Sequence, residues 1–274
     1  MIDDFLAHSL PDVEEAVRKA AAVEVMPRFR QLADHEVDRK SGPHDLVTIA
    51  DRRAEEYLTA ALTRLLPGSA VVGEEAVHAD PGGYGALRAD APVWIVDPVD
   101  GTRQFVAGDP HFCTLVALAH RGELLASWTF APALEEMVTA VRGQGAYCGG
   151  ERIISGSPAP GADLRVATAD PLYTSEEDER VLARLSVPGV APRPCGSAGL
   201  EYLRVARGEM DGLAFTWPSA WDHAAGLLLV TEAGGTHSTV DGVPFRVDRD
   251  NALPFAVGRD EATTVRIREL LRGA

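Results

Sequence analysis

The feature that most constrains the fold is a ten-residue stretch, Val93–Thr102, with the sequence VWIVDPVDGT. Its first half is apolar and β-branched, with Trp94 supplying bulk, which predicts a short buried strand. Pro98 fixes its own φ and disfavours a helical conformation at Asp97, so we expect the strand to stop there. The DG pair then turns the chain. The stretch therefore predicts two carboxylates, Asp97 and Asp100, on a stiff turn at the end of a buried strand.

Two interpretations of this turn are possible from the stretch alone. Carboxylates placed so close repel each other unless a cation holds them, and hard cations prefer oxygen ligands. The end of a strand in an α/β sheet is also a common place for a ligand. Alternatively, Asp97 and Asp100 merely cap a helix. A metal site and a capped turn both remain open at this point.

Two further acidic sites flank the central stretch in sequence. Upstream, VVGEE is a short apolar strand that runs into Glu74 and Glu75. Downstream, WDHAAG places Asp222 at the start of an apolar helical run. An Asp in that position is typical of a helix N-cap, although one carboxylate can serve both as a cap and as a ligand. The chain thus offers carboxylates at three separate element ends.

These pieces, together with Asp45-Leu46-Val47-Thr48 and the following Asp51, resemble the motifs of the inositol monophosphatase family of metal-dependent, lithium-sensitive phosphatases. The flanking sequence fits this family from about Asp45 to Gly235. The resemblance implies one domain over residues 1–274, folded as a five-layer αβαβα sandwich of the type found in fructose-1,6-bisphosphatase. It also implies two packed halves, about 1–150 and 151–274.

Local patterns independently predict an α/β protein. Helical spacing over 12–26 is interrupted at Pro27, and a second helix is expected over 49–66. Two strands within 112–130 form a predicted hairpin, and the segment 78–90 reads as an exposed loop. Beyond the Pro-, Gly- and Ser-rich segment 151–162, strands alternate with helices. This alternation is typical of layered sheets and helices.

Phosphate-ester hydrolysis needs an activated water, a neutralised phosphoryl group and a stabilised leaving oxygen, and two Mg²⁺ ions can supply all three. The resemblance implies a site for two or three Mg²⁺ ions. In it, Asp97 bridges two ions, Glu74 and the carbonyl of Val99 complete the first site, and Asp100 and Asp222 bind the second.

The resemblance also implies catalytic roles. Glu74 and Thr102 would position the attacking water, and Asp51 would orient Thr102 from behind. The backbone N–H groups of Gly101 and Thr102 would face the phosphate at a helix start, where anions are favoured. Glu75 is either a solvated or salt-bridged acid or a weak ligand of a third ion.

The substrate side matches the family less closely. Inositol-specific relatives carry a glutamate seven residues before the aspartate of WD, and here that position is Phe215. Phe215 either stacks on the substrate or packs in the core. A phenylalanine cannot accept a hydrogen bond from a polyol, so we expect weak selectivity for inositol phosphate. The implied substrate contacts are Asp100, Gly101, Thr102, Gly196, Ser197, Ala198, Phe215 and Asp222.

Inositol monophosphate is accordingly the default substrate. Adenosine bisphosphates and histidinol phosphate, the substrates of sister phosphatases, stay open because of Phe215. A hypothesis from another class is a non-catalytic, metal-binding regulator. The presence of every implied metal ligand, together with Thr102 and Asp51, favours an enzyme.

Charge and cysteine usage limit the partners. A net charge of −15 argues against a nucleic-acid or anionic-membrane surface, and no apolar run is long enough for a membrane span. The N-terminus lacks the layout of a signal peptide, and three cysteines without a CxxC pair suggest no disulfide framework. We therefore predict a cytoplasmic enzyme acting on a small phosphorylated metabolite. The resemblance adds a homodimer.

Overall fold

The computed structural model describes residues 2–40, 42 and 44–273, and these residues form three β-sheets. A small antiparallel hairpin consists of β1 (Val37–Arg39) and β2 (Leu46–Thr48). The largest sheet has seven strands that lie side by side in chain order, the first pair parallel and the others antiparallel. Its strands are β3 (Ala70–Gly73), β4 (Val93–Asp100), β5 (Cys113–His120), β6 (Glu123–Ala131), β7 (Glu136–Val141), β8 (Gly145–Cys148) and β9 (Glu151–Ile153).

The third sheet has five strands in the order β11-β10-β12-β14-β13. They are β10 (Leu164–Thr168), β11 (Val190–Pro194), β12 (Gly212–Phe215), β13 (Thr236–Thr239) and β14 (Phe255–Gly258). Strands β11 and β13, which lie at the two edges of this sheet, were not predicted from the sequence. An edge strand tolerates the two prolines of β11, because their missing N–H groups can face outward. The polar sequence of β13, THST, lacks the apolar alternation from which a strand is predicted.

Nine α-helices occur in the described part of the chain. They are α1 (Ile2–His8), α2 (Leu10–Ala20), α3 (Ile49–Leu65), α4 (Glu74–Ala79), α5 (Thr102–Val106), α6 (Glu176–Leu182), α7 (Ala198–Ala206), α8 (Ala220–Glu232) and α9 (Glu261–Arg272). A π-helical turn, Ala21–Val25, extends α2 up to the predicted interruption at Pro27. The predicted helix over 49–66 is confirmed as α3.

The layers follow from which faces are apolar. Helices α2 and α3 cover one face of the seven-stranded sheet, where Leu58 and Leu62 pack with Trp94 and Trp128. Helices α7 and α8 lie between the two large sheets, and α6 and α9 cover the outer face of the five-stranded sheet. Because α8 is enclosed on both sides, it is apolar almost all round. The five-layer α/β sandwich predicted from the sequence is confirmed.

The central strand differs from its prediction. β4 does not stop at Asp97 but continues through Pro98 to Asp100, with an irregular register between the two aspartates. Its parallel neighbour β3 pairs only as far as Val96, so the missing N–H of Pro98 removes no ladder hydrogen bond on that side. On the other side, Thr114 Oγ1 donates to the Pro98 carbonyl over 2.8 Å. Both aspartates therefore lie on a bulge within a strand.

Three smaller points complete the comparison with the sequence. The segment 78–90, expected as an exposed loop, contains the end of α4 and a 3₁₀ segment, Pro81–Arg88, that buries Leu87. The division into halves near residue 150 stays a prediction. No helix among the described residues has the length and apolar character needed to cross a membrane.

Candidate active site

A cavity of about 390 Å³ opens where β4 ends. Residues at the starts of four helices line it, since Glu74 begins α4, Thr102 begins α5, Ala198 begins α7 and Asp222 lies in the first turn of α8. Helix starts carry N–H groups without intrahelical partners and favour negative charge. The cavity is thus built to hold carboxylates and anionic ligands.

Three carboxylates meet at the bottom of this cavity, and we call Asp97, Asp100 and Asp222 the carboxylate floor. Each offers an oxygen atom that lies within 4.8 Å of the other two. Burial raises the pKa of all three, and the charges of Glu74 and of the neighbouring floor residues raise the pKa of Asp97 and Asp222 further. An anionic, all-oxygen cluster with these pKa values fits Mg²⁺ by the chemistry of its donors.

Asp100 is held in place by the start of α7. Its Oδ2 accepts from Ser197 Oγ (2.6 Å) and Gly199 N (2.7 Å), and its Oδ1 accepts from Ala198 N (3.1 Å). The Cys113 thiol approaches Oδ2 at 3.4 Å. These hydrogen bonds fix a side chain of the seven-stranded sheet against a helix of the middle layer.

The other two floor residues have far fewer partners. Among the described residues, Asp97 accepts one hydrogen bond, from Val99 N (3.0 Å), and Asp222 accepts one, from the Trp217 indole (3.0 Å). A carboxylate has about four lone-pair directions. Asp97 and Asp222 therefore keep acceptor capacity that a cation can use.

The hydroxyl of Thr102 lies next to the floor and is backed by Asp51. Its Oγ1 is 3.2 Å from Asp51 Oδ1 and 3.0 Å from the Val99 carbonyl, so its single proton serves one acceptor at a time. Asp51 is fully buried, and its Oδ2 accepts from the backbone N–H (2.8 Å) and hydroxyl (2.5 Å) of Thr48, which caps α3. Burial raises the pKa of Asp51 to about 7, although the Thr48 hydrogen bonds oppose this.

Glu74 lines the same cavity but is paired with a lysine that the sequence analysis missed. Lys40 Nζ lies 2.6 Å from Glu74 Oε1 and 2.6 Å from Glu75 Oε1, and its side chain is only 4% exposed. Burial by itself lowers the pKa of Lys40, but the two glutamates outweigh it and hold that pKa above its usual value. The salt-bridged interpretation of Glu75 thus matches its geometry in this structure.

Glu55 is a second residue that the sequence analysis missed. Its two oxygens accept from the backbone N–H groups of Glu75 and Ala76, each over 2.8 Å, and thereby cap α4. A Cβ at Gly73 would lie 2.3 Å from the Glu55 carboxyl carbon, which explains the glycine of the GEE motif. Glu55 follows Asp51 by four positions on α3, and this spacing places both on one helix face.

Two predicted substrate contacts, Ser197 and Phe215, do not line the cavity. Ser197 is 3% exposed and does not line the cavity, because its hydroxyl donates to Asp100 instead. Phe215 is fully buried in β12, where its ring packs on Trp217 (centroids 4.4 Å apart) and His223 (5.6 Å). The expectation of weak selectivity for inositol phosphate rested on Phe215 and stays a prediction. Gly196, Ala198 and Gly101 do line the cavity.

A second group of residues that line the cavity is Arg103, Asp170 and Tyr173, which we call the polar wall. Arg103 Nη2 donates to Asp170 Oδ2 over 2.6 Å, and the guanidinium carbon lies 5.7 Å from the centre of the Tyr173 ring. The Tyr173 hydroxyl donates to the carbonyl of His44 (2.9 Å). The sequence motifs did not indicate this wall, because Arg103 is 67 positions away from Asp170.

Known proteins resemble this chain over most of its length. A model of the inositol monophosphatase family matches residues 7–269. An inositol-1-monophosphatase of Rhizobium meliloti is 37% identical over 219 residues, which cover 78% of this chain and 79% of that protein. The Nus factor SuhB of Pseudomonas aeruginosa is 35% identical over 221 residues, 78% of each chain.

Solved structures lead to the same conclusion. The crystal structure of the extragenic suppressor protein suhB from Bartonella henselae superposes with a TM-score of 0.82, covering 96% of this chain and 98% of that chain at 28% identity. The family predicted from the sequence and its enzyme class are confirmed. The chain belongs to the inositol monophosphatase family, whose members are magnesium-dependent phosphoric monoester hydrolases.

Proposed function

We propose that this chain hydrolyses the monophosphate ester of a small polyol, with inositol monophosphate as the reference substrate and two or three Mg²⁺ ions as cofactor. The observation that carries the proposal is the carboxylate floor, where Asp97 and Asp222 each accept a single hydrogen bond from the described residues and lie with the Thr102–Asp51 pair around one cavity. The names of several relatives support inositol phosphate as the substrate. A homodimer in the cytoplasm belongs to the same proposal.

Each residue has a defined task in this proposal. Asp97, Asp100 and Asp222 would hold one ion, and Glu74 with the Val99 carbonyl would extend the site toward a second. Bound Mg²⁺ would neutralise the phosphoryl group and lower the pKa of the attacking water.

Thr102 orients that water. Its hydroxyl donates a hydrogen bond to Asp51 or to the Val99 carbonyl, so a lone pair of Oγ1 is free to accept a hydrogen bond from the water. Asp51 fixes this arrangement because Thr48 holds its other oxygen. The backbone N–H groups of Gly101 and Thr102 are the proposed donors to the phosphate.

Phosphate release from inositol 1-phosphate by the full-length chain tests the proposal. Release is expected with millimolar Mg²⁺, none with excess chelator, and full recovery when Mg²⁺ is added back, since Mg²⁺ binds weakly at open carboxylate sites. Li⁺ is expected to inhibit, and Na⁺ at equal ionic strength is not. Release that persists in chelator, or no release from inositol 1-phosphate, adenosine 3′,5′-bisphosphate and histidinol phosphate alike, would refute it.

A regulatory role without catalysis is the second candidate, and the relative named Nus factor SuhB favours it. A regulator needs the folded chain but not turnover. Asp97→Asn should then still complement a strain that lacks the protein. If only variants with phosphatase activity complement, the catalytic function is the one that matters.

A further inference from the structure

The two charges of the ion pair in the polar wall balance each other without a ligand. Some N–H donors of the pair remain unused. Arg103 is 34% exposed, and one of its five N–H groups donates to Asp170. Within the described residues, its guanidinium donates to no other acceptor. Asp170 is 13% exposed, and its second oxygen accepts from Leu172 N over 2.9 Å. The Tyr173 ring packs near the guanidinium. This arrangement fixes Arg103 at the cavity surface with donors available to a ligand.

The charges around the cavity decide which ligands suit the wall. Two permanently cationic side chains among the described residues line the cavity, Lys40 and Arg103. Lys40 is paired with Glu74 and Glu75, and Arg103 is paired with Asp170. Neither of these two cavity-lining cations is therefore left uncompensated for a second phosphate group. A substrate that is neutral apart from the phosphate to be hydrolysed does not need a further cation.

We infer that the Arg103–Asp170 pair determines the substrate specificity of this chain, and this inference rests on the proposed function. The free N–H groups of Arg103 donate to hydroxyl oxygens of a polyol leaving group. Asp170 cancels the charge of Arg103, so that a bisphosphate gains nothing at this wall. The chain then discriminates a polyol phosphate from a bisphosphate in two ways. The wall donates hydrogen bonds to the neutral polyol, and it has no net charge to attract a second phosphate.

Removing one charge of the pair at a time gives opposite expectations for two substrates. Asp170→Asn leaves Arg103 uncompensated, and kcat/KM for adenosine 3′,5′-bisphosphate relative to inositol 1-phosphate should rise about tenfold. Arg103→Gln leaves Asp170 uncompensated, and the same ratio should fall about tenfold. Both effects should appear in KM rather than kcat, because neither side chain touches the reacting phosphorus.

A structural ion pair would behave differently. Both variants break the same 2.6 Å contact, so a purely structural role predicts losses of the same sign for both substrates and an unchanged ratio. Such a result would overturn the inference. The matched control is the exposed pair of Arg18 and Glu14 on α2, 2.8 Å apart in the outer layer. Arg18→Gln and Glu14→Gln should leave the ratio within about twofold of wild type.

A binding experiment separates this inference from the proposed function. The dissociation constants of the two ligands, measured by calorimetry with Ca²⁺ in place of Mg²⁺, should shift with the same opposite signs in the two variants. Opposite shifts without any turnover would refute the phosphatase proposal and support the wall as a specificity element. Equal shifts, or none, would refute the wall whether or not the protein turns over substrate.

Discussion

The carboxylate floor and the polar wall face the same cavity but differ in how their charges are balanced. In the wall, Asp170 meets Arg103 at 2.6 Å. In the floor, Asp97 and Asp222 meet mainly each other, Asp100 and Glu74, and burial together with these charges raises the pKa of both. The floor therefore needs a cation from outside, whereas the wall is complete by itself. One side of the cavity is built for metal and phosphate, the other for a neutral group.

The floor is also uneven within itself. Hydrogen bonds from Ser197, Ala198 and Gly199 oppose the effect of burial on the pKa of Asp100. Asp97 accepts a single hydrogen bond from the described residues. Asp100 is thus positioned by the fold before any ion binds, and Asp97 depends more on the ion than Asp100 does. Substitutions at the two positions should accordingly fail in different ways.

The largest expected effect comes from Asp97→Asn. Loss of this charge should lower kcat by at least about 10³-fold, because the cations that neutralise the phosphoryl group lose a buried ligand. In chelator the variant should unfold at a higher temperature than wild type at pH 7. The raised pKa of Asp97 means that the folded state binds its proton more tightly than the unfolded state. Stability of the metal-free protein therefore falls as pH rises above the unfolded pKa, and asparagine removes that loss.

Thermal unfolding in chelator and steady-state phosphate release measure these two effects. Asp163→Asn, at an exposed position before β10, is the control and should change neither. A metal-free Asp97→Asn protein that is less stable than wild type at pH 7 would show that repulsion among the floor carboxylates does not destabilise the folded state. The contrast between floor and wall would then lose its physical basis.

The floor could be predicted from the sequence and the wall could not, for a physical reason. Asp97, Asp100 and Asp222 lie in short motifs where a strand bends or a helix starts, and these motifs resemble those of the family, so the resemblance brought them together although Asp222 is distant in the chain. Arg103 and Asp170 are 67 positions apart and meet only after two sheets have packed. The same holds for Lys40 and Glu74, 34 positions apart.

Phe215 shows a different limit of prediction from sequence. Its position relative to the WD motif did not show which way its side chain points. A phenylalanine on a strand of alternating faces packs wherever apolar neighbours are, and here these are Tyr202, His223 and Phe255 between the two sheets. The α/β class was predictable because helices and alternating strands are local features, whereas the layered arrangement came from the resemblance to the family. The edge strands β11 and β13 were not predictable, since few neighbours dictate their sequence.

A smaller effect is expected from Ser197→Ala, which removes the 2.6 Å donor to Asp100. Residues that orient a metal ligand typically contribute about 10- to 100-fold in metal affinity. The Mg²⁺ concentration for half-maximal activity should rise by about tenfold, with kcat at saturating Mg²⁺ close to wild type. Activity against Mg²⁺ concentration measures this, and calorimetric Mg²⁺ titration checks it without substrate.

The matched control for Ser197 is Ser155→Ala. Ser155 is also buried, but its hydroxyl lies 2.7 Å from the Arg259 carbonyl and 3.0 Å from the Ala233 carbonyl instead of contacting a floor residue. This variant should lose stability and keep the Mg²⁺ dependence of wild type. If Ser197→Ala shows only the same loss of stability, the serine merely caps α7, and Asp100 needs no support from it.

The smallest effect on activity is expected from Phe215→Leu. Phe215 is 0% exposed and lies among aromatic rings, so the change should lower the free energy of unfolding by roughly 1–3 kcal/mol. The ratio of kcat/KM for inositol 1-phosphate to that for adenosine 3′,5′-bisphosphate should stay within about twofold of wild type, because discrimination requires contact with the substrate. Phe255→Leu, on the neighbouring strand of the same aromatic cluster, should give the same pattern. A changed ratio for Phe215→Leu but not for Phe255→Leu would mean that Phe215 reaches the substrate in the working enzyme. Specificity would then be shared between the aromatic core and the polar wall.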